Sequence, residues 1–126
     1  GGWGALHQAF SHPEVFGVVG AHSPALRPDD GTLAFLGTGA EFAKKDPISL
    51  AKLLPAGAPL KIWIDTGKDD PWMDRATLLH TILAGRGVPH IWNVFPGDHS
   101  WTYWRAHVVE YVRFYSQALA QGGTSP

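Results

Sequence analysis

Apolar residues recur along this chain in two alternating periods. Ala5, Leu6, Ala9 and Phe10 share one stripe of a helix predicted over residues 1–11, which Pro13 closes. Residues 15–21 (VFGVVGA) form a short apolar run bounded by Pro13 and Pro24, the pattern of a strand buried on both faces. Residues 23–40 are rich in Pro, Gly and Asp and read as loop, and 41–54 carry a weak helical pattern around Ile48, Leu50 and Leu53. Residues 60–66 (LKIWIDT) are a second strand, 67–71 a turn, and 72–85 a helix with Ala76, Leu79 and Leu83 on one face. Gly87 suits the C-terminal cap of that helix. Residues 88–95 (VPHIWNVF) are a third strand, with Pro89 suited to its start or to a sheet edge. After a loop at 96–100, Trp104, Val108, Val112, Tyr115 and Leu119 recur at helical spacing over 101–119.

Strands that alternate with helices predict an α/β fold whose three strands are parallel. Ligands in such sheets bind beyond the carboxyl ends of the strands. Three segments follow strand ends here: the one from His22, the 67–71 turn and the 96–100 loop. With 126 residues the chain suffices for one domain, expected over 1–120 with a flexible Gly/Ser/Pro tail at 121–126. Ten basic and eleven acidic residues leave a formal charge of −1, which offers no electrostatic footprint for nucleic acid or an anionic membrane. No apolar run nears the roughly 20 residues of a membrane span. Without cysteine, disulfide and thiolate chemistry are excluded. Residue 1 is not Met and no signal-peptide pattern follows it, so an upstream start is expected.

The rim segments hold the candidate chemistry. Asp65-Thr66-Gly67-Lys68-Asp69-Asp70-Pro71 sets carboxylates in a tight turn, and Pro96-Gly97-Asp98-His99-Ser100-Trp101 sets a histidine in the next one. A carboxylate that holds a histidine makes a general base of fixed tautomer. Taken singly, each residue has a plainer use. Asp70 before Pro71 is a helix start, His99 a loop histidine, Asp69 a solvated turn residue, Asp65 a support for turn amides and Ser100 a cap for the last helix. His22, at the end of a strand, is the least ordinary of the other histidines. Asp65, Asp69, Asp70, Asp98 and His99 also form an oxygen-rich set of the kind calcium or magnesium takes, although without the regular spacing of a binding loop.

Three segments resemble one known family. Gly1-Gly2-Trp3-Gly4-Ala5-Leu6 is similar to the stretch after the nucleophile in the esterase D, S-formylglutathione hydrolase, feruloyl esterase and mycolyltransferase group, which reads G-x-S-M-G-G-x-G-A-L. Asp65 to Asp70 (DTGKDD) resembles that group's acid loop D-x-G-x-x-D, and Asp98-His99-Ser100 its histidine loop. The resemblance covers nearly the whole chain. It implies the C-terminal part of an α/β-hydrolase that hydrolyses carboxylic esters without cofactor or metal, with Asp70 orienting His99. It also implies that the serine lies two residues before Gly1, so the isolated chain is expected to be inactive. Ser23, Trp72 and Trp101 are the expected substrate-binding residues for a small-molecule ester. Without its neighbour, the first strand would leave an open apolar edge, so an oligomer or a chain carrying the N-terminal half is expected as partner. The other reading is a non-catalytic domain acting through protein interaction.

Overall fold

The computed structural model describes residues 1–122; of the tail expected at 121–126, residues 121–122 continue the last helix and 123–126 lie outside the described residues. Three parallel strands, β1 (Val18–His22), β2 (Lys61–Gly67) and β3 (Ile91–Phe95), form one sheet in the order β1-β2-β3. Helix α1 (Gly2–Ser11) precedes β1. Helices α2 (Ala40–Lys45) and α3 (Pro47–Ala51) lie between β1 and β2, α4 (Met73–Gly85) between β2 and β3, and α5 (Trp101–Gly122) follows β3. The sheet is therefore the α/β arrangement that the alternating periods predict. No helix of the described residues is long and apolar enough to cross a membrane.

Strand alternation divides the core in two. Val19, Ala21, Ile62 and Ile64 face one way and pack with Leu6, Phe10, Ile48, Leu79 and Leu83 of α1, α3 and α4. Trp63 faces the other way and packs with Tyr111, Phe114 and Ala118 of α5. Because β2 is covered on both faces, all of it from Ile62 to Gly67 is buried. A polar residue in that stretch must find its partners inside the protein.

Several boundaries move from their sequence positions. β1 begins at Val18 and not at residue 15, since Val15 and Phe16 occupy an exposed turn held by amide bonds to the His12 carbonyl. β3 begins at Ile91, after Pro89 and outside the proline's influence on the ladder. The weak pattern at 41–54 resolves into α2 and α3, parted at Asp46, whose Oδ2 accepts the Ser49 amide proton in front of Pro47. Gly87 does close α4, at φ 70, with its N–H on the Ala84 carbonyl.

The largest correction concerns α5. The predicted stripe at 104, 108, 112, 115 and 119 meets the sheet only in part, since Trp104 and Tyr115 pack beside Trp63 and Phe114 while its aliphatic members do not. Tyr103, Tyr111, Phe114 and Ala118 are buried, whereas Val108, Val112 and Leu119 are exposed. The sheet-facing stripe is rotated because α5 lays tyrosines over the strand ends. The approach is close enough that a Cβ at Gly20 would lie 1.9 Å from the Tyr115 hydroxyl oxygen.

That contact predicts a coupled pair of substitutions. Gly20→Ala should lower stability by about 1–3 kcal/mol, the usual range for overpacking. Tyr115→Phe should recover part of that loss, because it removes the atom in collision. Urea unfolding of the two single variants and the double variant measures the coupling.

Candidate functional site

The site is assembled by the loops after β2 and β3. Lys68 donates its amide to the Phe95 carbonyl and Asp69 donates to the Gly97 carbonyl, each at 2.8 Å, so the two loops are zipped by backbone. Gly67 permits this, since a Cβ there would lie 2.5 Å from the Gly97 oxygen. Gly97 itself sits at φ 123 with Tyr103 against it.

This zipper brings Asp70 and His99 together across 29 residues of sequence. His99 Nδ1 donates to Asp70 Oδ2 at 2.8 Å, and Asp70 Oδ1 accepts the Trp72 amide at 2.7 Å. Asp70 thus holds the turn before α4 with one oxygen and the histidine with the other; α4 itself starts later, at Met73. The Asp70 side chain is fully buried, while His99 is about a third exposed. With Nδ1 committed, Nε2 is the basic nitrogen of a ring that lines a cavity of about 700 Å³. The cavity wall includes Gly1, Gly2, Ser23, Trp101, Trp104 and Arg105. Among the described residues, no serine hydroxyl bonds His99.

The expected substrate-binding residues divide. Trp101 is 77% exposed and borders the cavity. Ser23 also borders it but is buried, in the left-handed region at φ 58, with its N–H on the Asp65 carbonyl at 2.8 Å. Trp72 stands outside the cavity lining, with the Arg27 guanidinium 4.6 Å over its ring. Ser100 caps the start of α5, accepting weakly from the Tyr103 amide at 3.4 Å.

Asp65 departs most from its sequence role. It binds no turn amides. Its side chain is wholly buried on the α5 side of the sheet and accepts four side-chain hydrogen bonds. His22 Nδ1 and Trp63 Nε1 donate to Oδ1 at 2.7 and 2.8 Å, and the Tyr103 and Tyr111 hydroxyls donate to Oδ2. His22 reaches Tyr115 with its other nitrogen at 2.7 Å and stacks on Tyr111 at 3.6 Å between ring centroids. Burial alone would raise the Asp65 pKa; the bonds from His22, Tyr103 and Trp63 outweigh that and hold the carboxyl below the usual range. Burial and then the neighbouring Asp65 push the Tyr103 and Tyr111 hydroxyls well above the ordinary tyrosine value, and Tyr115 also rises. The available signal was an Asp inside an apolar strand, together with tyrosines at 103 and 111 on one helix face, each with a hydroxyl to satisfy.

The oxygen-rich set does not converge. Asp65 turns inward to its four donors, Asp69 is exposed, and Asp70 is taken by His99. No group of three or more ligand-type side chains meets among the described residues.

The family model described as "Putative esterase" matches residues 1–115. The chain is 27% identical to an S-formylglutathione hydrolase of Paracoccus denitrificans (strain Pd 1222), over 94% of this chain and 46% of that protein. The fold matches a ferulic acid esterase at a TM-score of 0.75 with 22% identity, over 94% of this chain and 48% of the other. It matches an S-formylglutathione hydrolase from Agrobacterium tumefaciens at 0.74 with 23% identity, over 94% and 46%. The chain thus spans about half the length of the curated relative it matches. Its architecture is that of an α/β-hydrolase.

The perturbed groups set a pH dependence for folding. The lowered Asp65 pKa adds stability that is present above the ordinary value of 3.8 and is lost as pH falls through the lower folded value. The raised tyrosines add stability that is present below 10.0 and is lost as pH rises above it. Thermal unfolding across pH should therefore show two limbs, and Asp65→Asn should remove the Asp65 share of the acid limb and lessen the alkaline one, where burial of the tyrosines persists.

Proposed function

Because the chain belongs to this esterase family, we propose that it supplies the acid and base of a serine-type carboxylic ester hydrolase. The observation that carries the reading is the 2.8 Å bond from His99 Nδ1 to the buried Asp70 carboxylate, on adjoining loops at the carboxyl ends of neighbouring strands. In the proposed reaction a serine oxygen attacks the ester carbonyl carbon while His99 Nε2 takes its proton. Asp70 stabilises the imidazolium so formed. Backbone N–H groups hold the oxyanion, the C–O bond to the alcohol breaks, and His99 returns the proton to the departing oxygen. Water then repeats the sequence on the acyl-serine and frees the acid.

The serine is proposed to lie two residues before Gly1 in the full protein. Gly1 and Gly2 line the same cavity as His99, which supports that placement. Gly2 also suits close packing at this point, for a Cβ there would approach Pro24 to 3.0 Å. Trp101, Trp104 and Val108 offer the ester an apolar wall, and Ser23 shapes its floor.

One observation favours a role for this chain in association. β1 pairs only with β2 among the described residues, and the exposed stripe Val108, Val112 and Leu119 of α5 runs on from the cavity wall. We propose that a chain segment carrying the N-terminal half, or a second copy, covers both. If catalysis were absent, this surface would be the functional element of a degenerate hydrolase domain.

Activity separates these readings. In the full protein, His99→Ala should lower kcat for p-nitrophenyl acetate by roughly 10⁴-fold or more, and Asp70→Asn by about 10⁴-fold, with KM little changed. The 126-residue chain alone should give background turnover. Turnover by that chain which His99→Ala abolishes would sink the missing-serine proposal. Light scattering after size exclusion should give an oligomer, or a complex with the N-terminal half, that Val112→Lys weakens. A stable monomer with no affinity for that half counts against the association proposal.

A further inference from the structure

Asp65 lies outside the proposed triad, yet two contact routes lead from it to the histidine loop. On the first route, Oδ2 accepts the Tyr103 hydroxyl, and the Tyr103 ring lies against Gly97, where an added Cβ would be 3.0 Å from Cδ2. Gly97 in turn holds the Asp69 amide, next to Asp70. On the second route, Oδ1 accepts His22 Nδ1, the His22 carbonyl accepts Trp104 Nε1 at 3.0 Å, and Trp104 stands edge-on to the His99 ring at 5.0 Å. The two routes leave from different oxygens of one carboxylate and reach the histidine loop at Gly97 and at the His99 ring.

Nothing in packing alone demands a charge here. A wholly buried carboxylate loses its hydration and is tolerated only when donors replace water. The fold spends four donors on it, from β1, β2 and two positions of α5, and it keeps Gly20 free of a side chain so that Tyr115 can reach His22. Charge-assisted bonds are directional. A buried anion with fixed donors therefore locates the start of α5 over the strand ends more sharply than apolar contact would.

We propose that Asp65 is a positioning residue: its carboxylate fixes Tyr103 and, through His22, Trp104, and so sets the place and tilt of the His99 ring against Asp70. The proposal rests on the esterase reading for its purpose, since a base 1 Å out of place loses much of its effect. Its geometry can be tested without turnover.

The test uses nuclear magnetic resonance on the 126-residue chain. The His99 Nδ1 proton, bonded to a buried carboxylate, gives a far-downfield signal that Asp70→Asn should remove. Asp65→Asn should leave far-ultraviolet circular dichroism intact. It should also displace the His99 Nδ1 proton and Gly97 amide signals and speed solvent exchange of the former by about tenfold. If the variant folds and both signals stay in place with unchanged exchange, Asp65 is merely structural and the proposal is overturned. If Asp65→Asn does not fold, Tyr103→Phe keeps the ring on Gly97 and removes one bond to the carboxylate. It should shift the same two signals, and unmoved signals overturn the proposal there too. In the full protein, Asp65→Asn should lower kcat with KM nearly constant. Full-protein activity that survives His99→Ala would defeat the esterase reading while leaving the resonance result to stand.

Discussion

A carboxylate buried in the middle strand of a sheet constrains everything around it. Asp65 cannot keep its charge in the interior without donors, and the unpaired ion would cost several kcal/mol. His22, Trp63, Tyr103 and Tyr111 supply them. These residues come from β1, β2 and α5, so meeting the needs of one ion also fixes how the last helix crosses the strand ends. The two core clusters supply the bulk of the burial, but they are less specific about angle and register.

The acid loop shows the same economy. Asp65, Gly67 and Asp70 each answer a different physical need: an anion for the hub, space for the Gly97 carbonyl, and a partner for His99. Between them the backbone zipper of Lys68 and Asp69 to the histidine loop makes the Asp70 to His99 distance a property of main-chain geometry. That is a stiffer arrangement than two side chains reaching across solvent, and it holds the His99 ring in one tautomer, as the proposed base requires.

Helix α5 carries two faces with different fates. Its tyrosine face answers to Asp65 and lies on the sheet; its aliphatic face, with Val108, Val112 and Leu119, stays exposed. Together with the edge of β1, which pairs only with β2 among the described residues, this leaves apolar surface on the side where Gly1 and Gly2 border the cavity. The association proposed above would bury this surface.

The sequence by itself determined the order of elements, the parallel sheet and the two rim turns, because periods of 2 and 3.6 are local properties of side-chain direction. It also brought Asp70 and His99 to one rim, since strand ends in a parallel sheet point the same way. It did not reveal which face of α5 meets the sheet. Both stripes are apolar at helical spacing, and the choice is made by tyrosine hydroxyls seeking an ion that lies 38 and 46 residues away. The start of β1 differs for a similar reason: Val15 and Phe16 have strand-like side chains, but their amides bond a local turn. At the end of the second strand Asp65 reads as a support for the turn amides beyond it, because sequence shows what a side chain can bond, whereas only the folded chain decides which donors arrive.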